Sequence, residues 1–385
     1  MYLIKLVLRN ALRHKLRTGL TVLGLVVAVL AFGLLQTVVH AWYAGADAAS
    51  SSRLITRNSI SLVFPLPLTY NEKIRQIPGV RAVSYANWFG GVYITEKNFF
   101  PQFAIEPRSY FALYPEYIVP PEQFRDFLRD RRGAIVGRKI ADIHGIKVGD
   151  VAPIRGTIFP GNWEFVVRAI YDGAEANTDA SQFFFHWDYL NETMKKNTPR
   201  RANQVGVYVI GLTSADRAAE VAQALDATFR NSLAETLTET EKAFQLSFVS
   251  MTEAIVVAIR LVSFLVIFII LAVMANTMAM TARERVAEYA TLKALGFGPW
   301  FLVALIGGES LAIALVGGLL GIACTYPVAH EFGRAMGTLF KVFEVSNDTV
   351  WMQLAAIMVV GVVAALAPAT RAARVRIVDG LRNVG

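Results

Sequence analysis

The sequence predicts a membrane protein: four transmembrane α-helices with a large mixed α/β extracytoplasmic domain between the first and second spans. Three observations predict it. First, 54% of the 385 residues are hydrophobic and 18% are charged, with a mean hydropathy of +0.42. Soluble domains carry roughly 45–50% apolar and about 25% charged residues. Second, four stretches each offer the ~20 mostly apolar residues that a ~30 Å hydrocarbon core requires. Third, residues 43–250, between the first two stretches, are mixed in character and long enough for a folded domain. This composition excludes disorder and argues against an ordinary cytosolic enzyme.

The N-terminal residues 1–17 carry Lys5, Arg9, Arg13 and Arg17 at every fourth position, a single basic stripe on a helix. Leu3, Leu6, Val7, Leu12 and Leu16 fall mainly elsewhere. The pattern suits a cytoplasmic amphipathic helix at the membrane surface, its stripe on the anionic lipids of the inner leaflet. A plain topology signal would carry the same charges. The first span follows over residues 18–42. Ala44-Gly45-Ala46 resembles a signal-peptidase site, but the apolar run before it exceeds the about 7–15 residues of a signal h-region. A retained span is therefore expected.

Within residues 43–250, short β-branched and aromatic runs bounded by turn residues predict strands at Ser59–Phe64, Val80–Ala86, Ala134–Gly137, Trp163–Tyr171, Phe183–Trp187 and Gln204–Gly211. Helices are expected at Glu72–Ile77, Glu122–Arg131 and Asp216–Asn231, the last with Ser214 as N-cap. From Thr236 the pattern reads as helical through Ala243, Phe244 and Phe248. It predicts a stalk helix running without interruption into the second span.

No catalytic constellation is visible. His14, His40, His144, His186 and His330 do not pair at metal-ligand spacing. Cys324 is the single cysteine, which excludes an intrachain disulfide and makes a cysteine metal site improbable. Gly133–Lys139 (GAIVGRK) lacks the spacing and the hydroxyl of a phosphate loop, so it reads as a strand turning into a helix. The expectation is a chain that is not an enzyme, with no catalytic, cofactor-binding or metal-ligating residue of its own.

The second, third and fourth spans are expected over 255–282, 299–330 and 349–370. A loop at 283–298, a short loop at 331–348 and a tail at 371–385 flank them. Arg283, Arg285 and Lys293 fill the first loop, and Arg371, Arg374, Arg376 and Arg382 follow the last span. The loop at 331–348 holds only Arg334 and Lys341 against Glu331, Glu344 and Asp348. The positive-inside rule then puts both termini and the 283–298 loop in the cytoplasm and the large domain outside. The net charge of +8 accordingly reads as cytoplasmic flanks, not as a nucleic-acid surface. Glu309 lies inside the third span, where a carboxylate is costly and marks a candidate site; pairing with another group is the favoured role. Gly317, Gly318 and Gly321 permit close helix packing. In the loop, Glu284 and Glu288 stand one turn apart, Arg285 can pair with a neighbouring surface, Leu292 and Leu295 form an apolar edge, and Gly296 stops the helix.

Arg283–Phe297 reads RERVAEYATLKALGF. It resembles the cytoplasmic signature E-R-x-x-E-I-G-x-x-K-A-L-G of the MacB/FtsX family of ABC transporter permeases, also called type VII or mechanotransmission transporters. Glu284, Arg285, Glu288, Lys293, Ala294, Leu295 and Gly296 match, and Tyr289-Ala290 stands in place of Ile-Gly. Asn10–Gly24 is similar to the family's N-x-x-R-x-K-x-R-T-x-L-T-x-L-G. Ala134–Asp150 resembles a segment of the MacB-like periplasmic core domain. Pro368–Arg382 resembles the closing segment, with Ile377 where proline is usual.

The resemblance implies a permease subunit in a bacterial cell inner membrane, with its large domain in the periplasm. Residues 283–298 would be a coupling helix seated on a separate ABC ATPase. Two copies of that ATPase would hold ATP and Mg, with no cofactor in this chain. Glu284, Arg285, Glu288, Leu292, Lys293, Leu295 and Gly296 would form the ATPase-coupling surface. A second permease, identical or homologous, would complete a dimer. Export or extraction of a lipid, lipoprotein, peptide or drug would follow, with a periplasmic adaptor or substrate protein as a further partner. The alternative within the family is an FtsX-like regulator of a periplasmic partner. A scaffold or sensor without an ATPase is the alternative outside it.

Overall fold

The computed structural model describes residues 13–47, 49–175, 178–336, 340 and 342–375. Residues 1–12, with Lys5 and Arg9 of the expected surface helix, lie outside the described residues, as do 376–385 of the tail. The chain divides into two compact units: Met1–His40 with Glu253–Ala335 and Phe343–Gly385, and Ala41–Thr252 with Met336–Val342. A long helix, α1 (Lys15–Asp47), opens the described chain.

The extracytoplasmic unit alternates strands and helices. In chain order come β1 (Arg53–Asn58), β2 (Leu66–Pro67), α2 (Tyr70–Arg75), β3 (Val80–Trp88), β4 (Val92–Tyr93), β5 (Gln102–Ile105), α3 (Pro107–Leu113), β6 (Tyr117–Ile118) and α4 (Pro121–Arg129). Then follow β7 (Gly133–Gly137), α5 (Arg138–His144), β8 (Val151–Gly156), β9 (Gly161–Gly173), β10 (Phe183–His186) and α6 (Trp187–Asn197). The unit closes with β11 (Gln204–Val205), β12 (Val207–Leu212), α7 (Ala218–Thr228), β13 (Thr236–Thr240) and α8 (Glu241–Met251). One mixed sheet runs β13-β1-β12-β3-β5-β10-β7-β9-β8-β4, with β6 against β9. β10 is parallel to β5, and β7 to β9.

The centre of this sheet is buried on both faces, which is why its strands read as unbroken apolar runs. Phe183 and Phe185 of β10 point into a core with Ile74 of α2, Ile140 of α5, Leu190 of α6 and Leu225 of α7. Phe184 points the other way, onto Tyr110 and Leu113 of α3 and Phe127 of α4. The strand's period of two thus divides one aromatic triplet between two cores. α3 starts where Pro107 sits at the first helical position and Glu106 caps it, accepting from Ser109 N at 2.7 Å.

Four expectations are corrected here. Ser59–Phe64 is not a strand, because the strand ends at Asn58. Asn58 Oδ1 accepts from Ile60 N at 3.0 Å and Ser61 Oγ from Val63 N at 3.2 Å, so side chains take the amides that a ladder would use. Thr236–Thr240 is a strand paired with β1, and helix begins only at Glu241, capped by Thr240 Oγ1 accepting from Ala243 N at 3.2 Å. The stalk is also interrupted: α8 stops at Met251 and the next helix starts at Glu253. At Thr252 the hydroxyl turns back to donate to Val249 O at 3.0 Å, a side-chain bond that competes with helix continuation. Gln204–Gly211 is two strands parted at Gly206, and Gly133–Lys139 is a strand turning into a helix.

The second unit contains α9 (Glu253–Glu284), α10 (Val286–Ala294), α11 (Pro299–Ala335) and α12 (Asn347–Arg374). α1, α9, α11 and α12 are long and apolar enough to cross a membrane. Leu25 and Val29 of α1, Met274 and Met278 of α9, Leu302 and Ile313 of α11, and Ile357 and Val360 of α12 share one buried cluster. Polar bonds tie the same helices. Gln353 of α12 donates to Val29 O at 2.9 Å and to Thr325 Oγ1 at 3.0 Å, and Ser310 of α11 donates to Gly361 O at 2.7 Å.

Candidate functional site

The loop between the second and third spans is built around α10, whose Ala, Glu, Leu and Lys content favours helix. The helix ends in a Schellman motif. Gly296 adopts φ +92°, its N–H donates to Lys293 O at 3.0 Å, and Phe297 N donates to Leu292 O at 3.1 Å. Glycine meets that conformation without a Cβ penalty.

Glu284, Arg285, Glu288 and Lys293 of this loop bond to other parts of the membrane unit or to one another. Arg285 donates through Nη1 to Glu309 Oε2 at 2.9 Å and through Nε to Glu288 Oε2 at 2.9 Å. Arg285 and Glu309 are only 6% and 4% exposed, so each carries a charge that the other neutralises. Glu288 also accepts from Arg13. Glu284 accepts both guanidinium nitrogens of Arg17, at 2.7 and 2.8 Å, with His14 Nε2 at 3.9 Å. The result is an alternating chain, Arg13–Glu288–Arg285–Glu309, with Arg17–Glu284 beside it. Burial acts to raise the Glu288 carboxyl, but the hydrogen bonds from Arg285 and Arg13 outweigh it and hold the group below its usual range. Burial pushes the Tyr289 hydroxyl up to about 12. Its ring lies under the Arg285 guanidinium at 5.5 Å, which accounts for an aromatic where the resembling signature has isoleucine. Lys293 Nζ donates to Ala373 O at 2.6 Å and Val375 O at 2.8 Å, closing the C-terminal end of α12.

Among the residues expected to meet a partner, Glu284, Arg285, Glu288 and Lys293 thus have intramolecular partners. Arg13 and Arg17, expected on lipid headgroups, bind the loop. Leu292 is half-buried against the membrane core, whereas Leu295 is 72% exposed. Beside it stand Phe297 and Trp300, 43% and 83% exposed. Sequence reading missed these two; the signal was available in the aromatic pair flanking Gly298-Pro299, Phe297 at the end of the expected loop and Trp300 at the start of the expected third span. Gly317 and Gly321 face α1. A Cβ on them would lie 2.7 Å from Leu25 Cβ and 2.8 Å from Val29 Cβ. Gly318 faces Ile357 of α12.

The extracytoplasmic unit has a cavity of about 530 Å³ lined in part by Arg53, Tyr114, Glu116, Glu241 and Phe244. Within this lining Arg53 donates to Glu116 at 2.5 Å and to Glu241 at 2.8 Å. Among the described residues, no group of three or more His, Cys, Asp or Glu side chains is placed to hold a metal ion.

The family profile described as MacB-like periplasmic core domain matches residues 18–228, more than half of the chain. The chain belongs to the MacB/FtsX family of permeases. A second profile, FtsX-like permease C-terminal, matches residues 260–377 of this permease and so includes the charged loop. It is a multi-pass membrane protein of the ABC transporter permease class with a large extracytoplasmic domain. Two solved structures are loosely similar. The extracellular domain of a noncanonic ABC-type transporter, YknZ, from Gram-positive bacteria is 12% identical, with 49% of this chain and 100% of that one covered and a TM-score of 0.34. A domain of a putative permease protein from Porphyromonas gingivalis is 13% identical, with coverage of 49% and 88% and a TM-score of 0.32. No curated protein matches the chain.

Proposed function

We propose that this permease is the membrane subunit of an ABC transporter in a bacterial inner membrane, driven by a separate ATPase docked on the α10 loop. The observation that supports the reading is the construction of that loop. A short helix is held by ion pairs to Arg13, just before α1, and to Glu309 of α11, and by Lys293 to α12, and past its C-terminal end stand exposed Leu295, Phe297 and, on the first turn of α11, Trp300. A rigid element attached to several spans transmits displacement, and an exposed apolar tip suits a groove on a partner protein. The charged signature therefore holds the element and the apolar tip docks it. Two ATPase copies, holding ATP and Mg, would act on two permeases, identical or homologous. Their closure would be passed to the extracytoplasmic domain, for export or extraction of a lipid, lipoprotein, peptide or drug, with or without a periplasmic adaptor.

Affinity purification from native membranes, with mass spectrometry and an ATPase assay, tests this. An ABC ATPase is expected with the wild type and is expected to be lost from Leu295→Asp and Trp300→Asp variants that remain monodisperse. Absence of any ATPase from the wild type, or its full retention on both variants, refutes the reading.

A further inference from the structure

At and just before the loop end of α1, Arg13 and Arg17 donate hydrogen bonds across to the α9–α10 junction, and His14 Nε2 stands 3.9 Å from Glu284. The two arginines lie far from that junction in sequence, 275 residues from Glu288 and 267 from Glu284. α9 is joined to the loop covalently and α12 is held by Lys293, whereas α1 is remote from it in the chain. The tie is made by side chains. Arg17 sits one turn before Thr21, whose hydroxyl donates to Arg17 O at 2.9 Å within the regular helix, so its guanidinium projects from a fixed base. It grips Glu284 with two parallel bonds, the geometry in which a partly exposed ion pair is most specific. Arg13 then joins a carboxylate that is itself anchored, through Arg285, to buried Glu309 of α11. Exposed pairs contribute little singly, and networks with bidentate geometry contribute more.

We propose that Arg13 and Arg17 are positioning residues that strap the first span to the coupling loop, so that α1 moves with α10 as one body. This rests on the reading of the loop as the coupling element. It assigns Arg13 and Arg17 of the basic stripe to the acidic loop signature and not to the membrane surface.

The test is a distance measurement on the full chain in nanodiscs containing anionic lipid. In a Cys324→Ser background, Leu16→Cys and Thr291→Cys carry spin labels on α1 and α10; both positions are exposed. Double electron–electron resonance should give one narrow distance, unchanged when a co-purified ATPase is trapped with nucleotide. Arg17→Glu, and the milder Glu284→Gln, should abolish the narrow component. Arg17→Glu combined with Glu284→Arg should restore it, which a merely structural loss would not do. A narrow distance that survives Glu284→Gln but is lost when zwitterionic lipid replaces the anionic lipid would place the arginines on headgroups and overturn the proposal. Failure of the charge swap to restore the distance overturns it too. The apo measurement requires no ATPase, so it stands or falls separately from the docking experiment.

Discussion

Glu309 shows how an ionised side chain is tolerated within a span. Its carboxylate is 4% exposed but bonded to Arg285 at 2.9 Å, and Arg285 is bonded onward to Glu288. Removing Arg285 leaves Glu309 buried and unpaired, and removing Glu309 leaves buried Arg285 with only the half-exposed Glu288; breaking such a pair costs about 3–5 kcal/mol, whereas replacing both with apolar side chains of similar size is close to neutral. Glu309→Leu and Arg285→Met should therefore each lower the unfolding midpoint of the purified full chain sharply. The double variant should recover most of it. Equal losses in all three would show that the pair does not act as a unit. At this scale the sequence was legible in part. An acid inside an apolar run stands out, and so does the regular spacing of Arg13 and Arg17. The partners were not legible, since the pairing of position 17 with 284 depends on how helices distant in the chain come together.

Elements were most legible where periodicity is strong. Each span appeared as a long apolar run, and each is one helix of the structure. Strands and helix ends were less visible where side chains intervene. Ser59–Phe64 has the apolar, β-branched character of a strand, yet Asn58 and Ser61 divert its amides. Thr236–Thr240 was hidden because its alternation is short and adjoins a helical pattern. The glycines of α11 lead to a contrast that can be measured. An added Cβ at Gly321 would lie 2.8 Å from Val29 Cβ and 3.0 Å from Val26 O, while Gly307 has nothing within 4 Å. Gly321→Ala should destabilise by about 1–3 kcal/mol through overpacking. Gly307→Ala should stabilise by about 0.5–1 kcal/mol, because alanine loses less backbone entropy in a helix. Thermal unfolding of the two full-length variants checks both signs, and a stabilising Gly321→Ala would contradict the α1–α11 contact.

At the scale of the whole molecule, the charge flanks and the number of spans set the orientation, and labelling can test it. In a Cys324→Ser background, Val63→Cys, in the extracytoplasmic unit and 85% exposed, should react with a membrane-impermeant maleimide in intact spheroplasts. Thr291→Cys on α10 should react only after permeabilisation; the reverse pattern would invert the topology. Another consequence follows from the pairing of β1 with β13. Leu54 stands opposite Thr240, and Asn58 opposite Thr236, so the strand that enters the domain and the strand that leaves it are adjacent and antiparallel, the first beginning at the rung where the second ends. Ahead of that rung, Glu241 accepts from Arg53 Nε at 2.8 Å and from Ser50 N at 3.0 Å. A load that separates the two strand ends falls on one hydrogen bond at a time, as in a zipper, and not on the whole ladder together. A load shared equally by both ends strains no rung. The domain is thus mechanically strong toward concerted lifting or tilting and weak toward prising apart, with the Glu241 contacts as the catch that the first tug must break.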